Sequence, residues 1–243
     1  MGNQNDSERR WFSTTRWTMI MAAKDGAGPA AAEALERLCT TYWFPLYAYA
    51  RRKGCSPEDA ADLTQGLFVR LLGGQFLDGI DPARGKFRSF LRVAMNRHIA
   101  DFLTHRNAAK RGGGKTISLG MQDAESRYLL EAVDENTPES LFDYHWALSL
   151  LGKVTDDLQS EFEESGRGPV FDRLKPFLTG EAERHDYQEA SRDLGMENTA
   201  TRMAVSRMRK RFREILRHEV ATTVALDDDI DEELAGIRSI LSP

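Results

Sequence analysis

At 243 residues the chain can bury one large core or two small ones, and its 41% hydrophobic and 29% charged content is ordinary for a soluble globular protein. No apolar run approaches the roughly 20 residues that span a bilayer, and the polar start Met1–Asp6 lacks a secretory layout, so a cytoplasmic protein without a membrane partner is expected. The net charge of −5 is unevenly spread: Arg84–Lys115 and Arg202–Arg217 are strongly basic blocks suited to a polyanion, while acid gathers at Asp123–Asp143 and Asp227–Glu233.

The apolar pattern is helical almost throughout. A first segment, Thr14 to Lys24, ends at the breaker Asp25-Gly26-Ala27-Gly28-Pro29. A helix from about Ala30 to Arg52 carries Leu35, Leu38, Cys39, Tyr42, Trp43, Leu46 and Tyr47, and Pro45 is expected to kink or divide it. Cys39 fits that stripe as a small core residue, and with Cys55 it offers neither metal-ligand spacing nor a disulfide framework. Ser56-Pro57-Glu58-Asp59 opens the next helix, with Ser56 as cap and acid against the dipole, and Gly73-Gly74 closes it. A further helix spans about Lys86 to His105, with Phe87 and Phe90 read as core in preference to stacking platforms. Lys110-Arg111-Gly112-Gly113-Gly114-Lys115 is a flexible basic linker.

Thr137-Pro138-Glu139 starts a long helix, from about Glu139 to Ser165, and Gly166-Arg167-Gly168-Pro169 breaks it. A short helix near Phe171–Leu178 follows. Asp186-Tyr187-Gln188-Glu189 fits a capping box for a helix that ends at Gly195, and a second helix runs from about Asn198 to Val220. Helix, glycine turn and basic helix make a helix-turn-helix arrangement. Thr201, Val205, Met208, Phe212 and Ile215 form its inward stripe. Asn198, Thr199, Arg202, Met203, Ser206, Arg207, Arg209 and Lys210 are the candidate contacts to duplex DNA. Those nearest the helix start suit base edges, and Arg207, Arg209 and Lys210 suit phosphates. The histidines are scattered and Gly112-Gly113-Gly114 does not follow a strand, so no enzymatic activity, metal or cofactor is expected.

Several ordered stretches resemble the extracytoplasmic-function group of sigma-70 factors, closest to a planctomycete-like subgroup. They are Thr14-Thr15-Arg16-Trp17-Thr18, Tyr42-Trp43-Phe44-Pro45-Leu46-Tyr47, Ser56–Ala60 with Asp62-Leu63-Thr64-Gln65, Gly85–Leu91, Lys110–Gly113 and Leu194-Gly195-Met196. The resemblance implies an all-α chain of two helical domains, a region 2 bundle and a region 4 helix-turn-helix. It implies core RNA polymerase and promoter DNA as partners, with an anti-sigma factor or a regulatory kinase as a further one. Polymerase contact would fall on Asp62, Leu63 and Gln65, and the minus-ten element on Arg84, Lys86, Arg88, Arg92, Asn96 and Arg97. The helix from about Asn198 would hold the minus-thirty-five element. Gly66 departs from the family's pattern, which has Glu there, and Glu197 stands where Ser is usual. Thr201 replaces an apolar residue.

The expected organisation is an N-terminal extension over 1–29, region 2 over 30–108, a linker over 109–136, region 4 over 137–222 and an acidic tail over 223–243. Two readings of the tail stand side by side: a solvated disordered segment, or a competitor with DNA for a basic surface. A helix-turn-helix regulator acting without polymerase, and a sigma mimic that captures an anti-sigma factor, are the rival functions. The first leaves the Asp62–Gln65 helix and the basic Lys86–Arg106 helix without a role, and the second has no use for DNA-facing arginines.

Overall fold

The computed structural model describes residues 29–72, 86–108, 121–131, 137–178, 184–224 and 229–242. Among them all regular structure is helical: α1 Pro29–Arg52, α2 Pro57–Leu72, α3 Phe87–Ala108, α4 Met121–Glu131, α5 Pro138–Glu164, α6 Gly168–Leu174, α7 Arg184–Asp193, α8 Asn198–Ala221 and α9 Asp229–Leu241. A 3-10 turn, Lys175–Phe177, follows α6. The expected Thr14–Lys24 helix and the Gly112-Gly113-Gly114 linker lie outside the described residues.

The described residues divide into two compact units, one up to Ser149 together with those from Val220 onward, the other Leu150–Glu219. The chain therefore passes between units inside α5 and again inside α8, and the second unit is shorter than the expected 137–222. Leu141, Phe142 and Trp146 explain the first of these limits. All three are buried, and Phe142 meets Tyr49 edge-on at 6.1 Å, so the first turns of α5 pack with α1.

In the first unit α1 packs chiefly on α2, and α3 closes the bundle. Tyr42, Leu46, Tyr47, Leu67, Leu71, Phe87, Leu91 and Met95 form its centre, with Tyr42 edge-on to Phe87 at 5.4 Å. Phe87 is thus core, as its spacing indicates. Pro45 does not divide α1. Its missing N–H removes one helical hydrogen bond, but Phe44, Leu46 and Tyr47 on either side are buried, and their packing outweighs that loss. The stretch expected as linker carries a docked helix. Glu125 of α4 receives a fork of hydrogen bonds from Arg51 Nε at 2.8 Å and Nη2 at 2.7 Å, and another from Tyr47 Oη at 2.6 Å. The Arg51 hydrogen bonds come first among the causes that hold the Glu125 carboxyl below its ordinary range.

The C-terminal segment corrects the disordered reading of the tail: Asp229–Leu241 is helical, with Ile230, Glu233 and Ile237 buried. Their spacing of three and four puts them on one helical face, and Glu233 interrupts what would otherwise be an apolar stripe.

The second unit is built on Val154, Leu158 and Phe162 of α5, Phe171 and Leu174 of α6, Phe177, Ala190, Val205, Met208 and Ile215. Gly166, at a φ of +70°, ends α5, and Arg167 N–H reaches back to the Phe162 carbonyl at 2.7 Å. Lys153 bridges Glu219 at 2.9 Å, tying α5 to α8 within this unit.

Candidate nucleic-acid and polymerase interface

Ser56 caps α2 as its position indicates, its Oγ accepting the Asp59 N–H at 3.1 Å. From that start the helical period sends Ala60, Leu63, Thr64, Leu67 and Leu71 inward. Asp62 and Gln65 are exposed. Leu63, only 3% exposed, belongs to the core, which corrects its expected place beside them on a contact surface. Val69 is exposed on the face of Asp62. It lies seven residues beyond Asp62, on the same face, and is 65% exposed. An apolar residue at a position the period turns outward was the available signal for it. Gly66 has a steric reason: a Cβ there would stand 3.1 Å from His98 Nε2 on α3, tighter than side chains ordinarily pack.

The expected minus-ten contacts on α3 and its entry fall into two groups. Asn96 and Arg97 are exposed, with Val93, 50% exposed, a turn before Arg97. Lys86, Arg88 and Arg92 instead meet carboxylates of their own chain. Lys86 Nζ lies 3.0 Å from Glu232 and 2.8 Å from Glu233. Arg88 donates through Nε to Glu233 at 2.6 Å and through Nη1 to Asp143, and its guanidinium sits 4.7 Å over the Trp146 ring. Arg92 Nη1 lies 3.3 Å from the second Asp143 oxygen. Glu233 is fully buried. Burial pushes its carboxyl up, but Arg88 and Lys86 together outweigh that and hold it below the ordinary glutamate value. Charge patterning had located these cations and not their partners. Arg84 lies outside the described residues.

In the second unit α7 ends at Gly195, whose φ of +60° lets Met196 N–H bond the Ser191 carbonyl at 2.9 Å. The expected capping box at Asp186 is corrected: α7 already begins at Arg184, so Asp186 lies inside its first turn, where a carboxylate still favours the helix dipole. The second helix, α8, begins at Asn198, as the turn indicates. Thr201 is fully buried on the inward stripe with Val205 and Met208. Its hydroxyl donates to the Glu197 carbonyl at 3.2 Å and meets Ser191 Oγ at 2.9 Å, so a polar pair joins the two helices where an apolar contact is expected.

The outward face of α8 gathers Thr199, Arg202, Met203, Ser206 and Lys210, all exposed, with Met203 at 55%. Asn198 is half-buried and accepts a hydrogen bond from Arg202 Nε at 3.0 Å, while the Arg202 guanidinium sits 4.6 Å over Tyr187. Arg207 is exposed, on the flank toward Arg211. Arg209 is half-buried and donates to the Phe177 carbonyl at 2.8 Å, so part of its donor set holds the fold. Arg211 pairs with Glu161 at 2.6 Å.

Residues 41–109 match the family described as sigma-70 region 2. This stretch, from mid-α1 to the end of α3, is similar to sigma-70 region 2. The match supports an RNA polymerase sigma factor of the sigma-70 family, a transcription initiation factor for which region 2 implies core polymerase as a partner. Comparison with curated proteins and with solved structures returned no match. No helix among the described residues is long and apolar enough to cross a membrane.

Proposed function

We propose that this chain is a sigma factor of the extracytoplasmic-function type, acting in the cytoplasm, that brings core RNA polymerase to promoters with paired minus-ten and minus-thirty-five elements. The observation that carries the reading is the region 2 match over residues 41–109, within which Asp62 and Gln65 stand exposed on one helix face. In this reading Asp62, Gln65 and the adjoining Val69 contact polymerase. Asn96 and Arg97, with Lys86, Arg88 and Arg92, bind the extruded minus-ten strand through its phosphates and bases. Binding energy for that strand offsets the few kcal/mol of lost stacking, so melting requires no catalytic group. The second unit acts as region 4, and the outward face of α8 enters the major groove of the minus-thirty-five element.

The test is transcription reconstituted from purified core polymerase, this chain and a genomic promoter library. Initiation at a defined set of start sites that depends on the chain is the expected result. Binding of DNA by the chain alone, with no capture of core polymerase, would instead establish a helix-turn-helix regulator.

A further inference from the structure

The C-terminal helix α9 presents two adjacent carboxylates to the two cations at the start of α3. Glu233 accepts a forked grip from Arg88, through Nε at 2.6 Å and Nη2 at 3.2 Å, and its second oxygen also meets Lys86 at 2.8 Å. Glu232, 73% exposed, meets Lys86 at 3.0 Å. Two donors on a guanidinium and an ammonium converging on paired oxygens is the same chemistry that binds a phosphate. The docking is anchored on both sides of these charges. Ile230 and Ile237 are buried on the same face of α9, and Thr223, just beyond α8, accepts the Phe87 N–H at 3.1 Å.

We infer that α9 is an intramolecular competitor for nucleic-acid phosphate, occupying Lys86 and Arg88 with Glu232 and Glu233 so that strand binding requires these carboxylates to leave. The inference rests on the reading of Lys86 and Arg88 as strand contacts. The two cations differ in what they lose when α9 departs. Arg88 keeps Asp143 and the Trp146 ring, both from α5. For Lys86, the carboxylates within ion-pair distance among the described residues are those of Glu232 and Glu233. Lys86 is therefore the residue whose availability reports the position of α9.

The test is a four-way comparison in the full chain: unchanged, Lys86→Gln, Glu232→Gln with Glu233→Gln, and all three together. Each is titrated with a mixed-sequence single-stranded deoxyoligonucleotide across a salt series. One regained phosphate contact steepens the salt slope by about 0.7, which corresponds to about fivefold in affinity at 0.1 M salt relative to 1 M. The glutamine pair should produce that gain. Lys86→Gln should abolish it in the glutamine background and change little in the unchanged chain, a coupling that loss of negative charge alone does not create. An equal cost of Lys86→Gln in both backgrounds, or none in either, overturns the inference.

Should the glutamine pair fail to fold, amide exchange over Asp229–Leu241 in the unchanged chain decides. Faster exchange at saturating oligonucleotide is expected, and unaltered protection overturns the inference. Reconstituted transcription keeps the two ideas apart. Initiation by the unchanged chain with unaltered α9 protection rejects the competitor alone, whereas a gain in strand binding without initiation rejects the sigma reading alone.

Discussion

Gly66 and His98 occupy complementary space: a Cβ built on Gly66 would approach His98 Nε2 to 3.1 Å, and His98 is 9% exposed. A glycine inside a helix costs about 1 kcal/mol relative to alanine, so Gly66→Ala taken alone should stabilise α2. The buried imidazole reverses the sign, because it has little room to yield by the few tenths of an ångström required. Gly66→Ala is therefore expected to lower stability, and the same substitution in a His98→Ala background to raise it by about 1 kcal/mol. Urea unfolding of the four chains measures the coupling. Additive effects would mean that the two helices do not constrain each other here.

Ser191 and Thr201 join the helices of the turn by a buried hydroxyl pair, each also within reach of a backbone carbonyl, Tyr187 for the first and Glu197 for the second. Thr201→Val keeps the shape and removes the hydroxyl, and about 1 kcal/mol of stability should go with it. Adding Ser191→Ala should then cost less than Ser191→Ala alone, since the bond between the two hydroxyls is already gone while Tyr187 keeps Ser191 satisfied in the single variant. Thermal unfolding of the two single variants and the double one checks this. A double variant as unstable as the sum of the singles would contradict it.

What could be read beforehand followed range of interaction. The caps at Ser56 and Thr137 and the Gly195 turn are decided within a few residues, and the structure keeps each of them, with Ser140 N–H bonded to Thr137 Oγ1 at 3.1 Å. The inward stripe of α8 follows from helical period alone. Pro45 does not divide its helix, because flanking packing overrides the local rule, and Asp186 is not the cap because α7 starts earlier, at Arg184. Leu63 was placed by family motif when its period pointed inward. The partnership of Lys86 and Arg88 with Glu232 and Glu233 spans more than 140 residues of sequence, and no local pattern reports it. An acidic tail carries the same composition whether it is solvated or docked.

His145 makes the first unit sensitive to mild acid. The ring is buried, with Phe44 edge-on at 4.8 Å, and burial together with the charge of Arg127 lowers the imidazole pKa to about 4. In the unfolded chain it titrates near ~6.5. Between those values the unfolded state binds a proton that the folded state does not, so stability is full above the upper value and falls as pH drops toward the lower one. The loss reaches at most about 3 kcal/mol. His145→Phe should flatten the dependence between about pH 7 and about pH 5, with unfolding midpoints as the readout. His98, also lowered by burial and by Arg70, leaves a residual slope of the same sign. A slope identical to that of the unchanged chain would remove His145 as its source.

Two residues on the outward face of α8 should separate base reading from phosphate holding. Arg202 is preset: Asn198 holds its Nε and Tyr187 underlies its plane, which leaves the far edge of the guanidinium to reach outward from the first turns of the helix. A bidentate grip on guanine is the contact that such a planar, oriented group makes best. If α8 reads the minus-thirty-five element as proposed, Arg202→Ala costs about 1–3 kcal/mol on the preferred sequence and relaxes specificity at one position. Asn198→Ala should reproduce part of that relaxation without removing the charge, because it frees the same guanidinium from its orientation. Lys210, two turns further along and exposed, carries an ammonium 3.9 Å from Glu214, a point charge suited to a phosphate. Its replacement by alanine should weaken binding to all sequences alike and reduce the salt slope by about 1. Equilibrium binding to a panel of single-base variants over a salt series distinguishes the two outcomes. Equal, sequence-independent losses for Arg202→Ala and Lys210→Ala would reduce both residues to phosphate contacts and shift base reading toward Thr199, Met203 and Ser206.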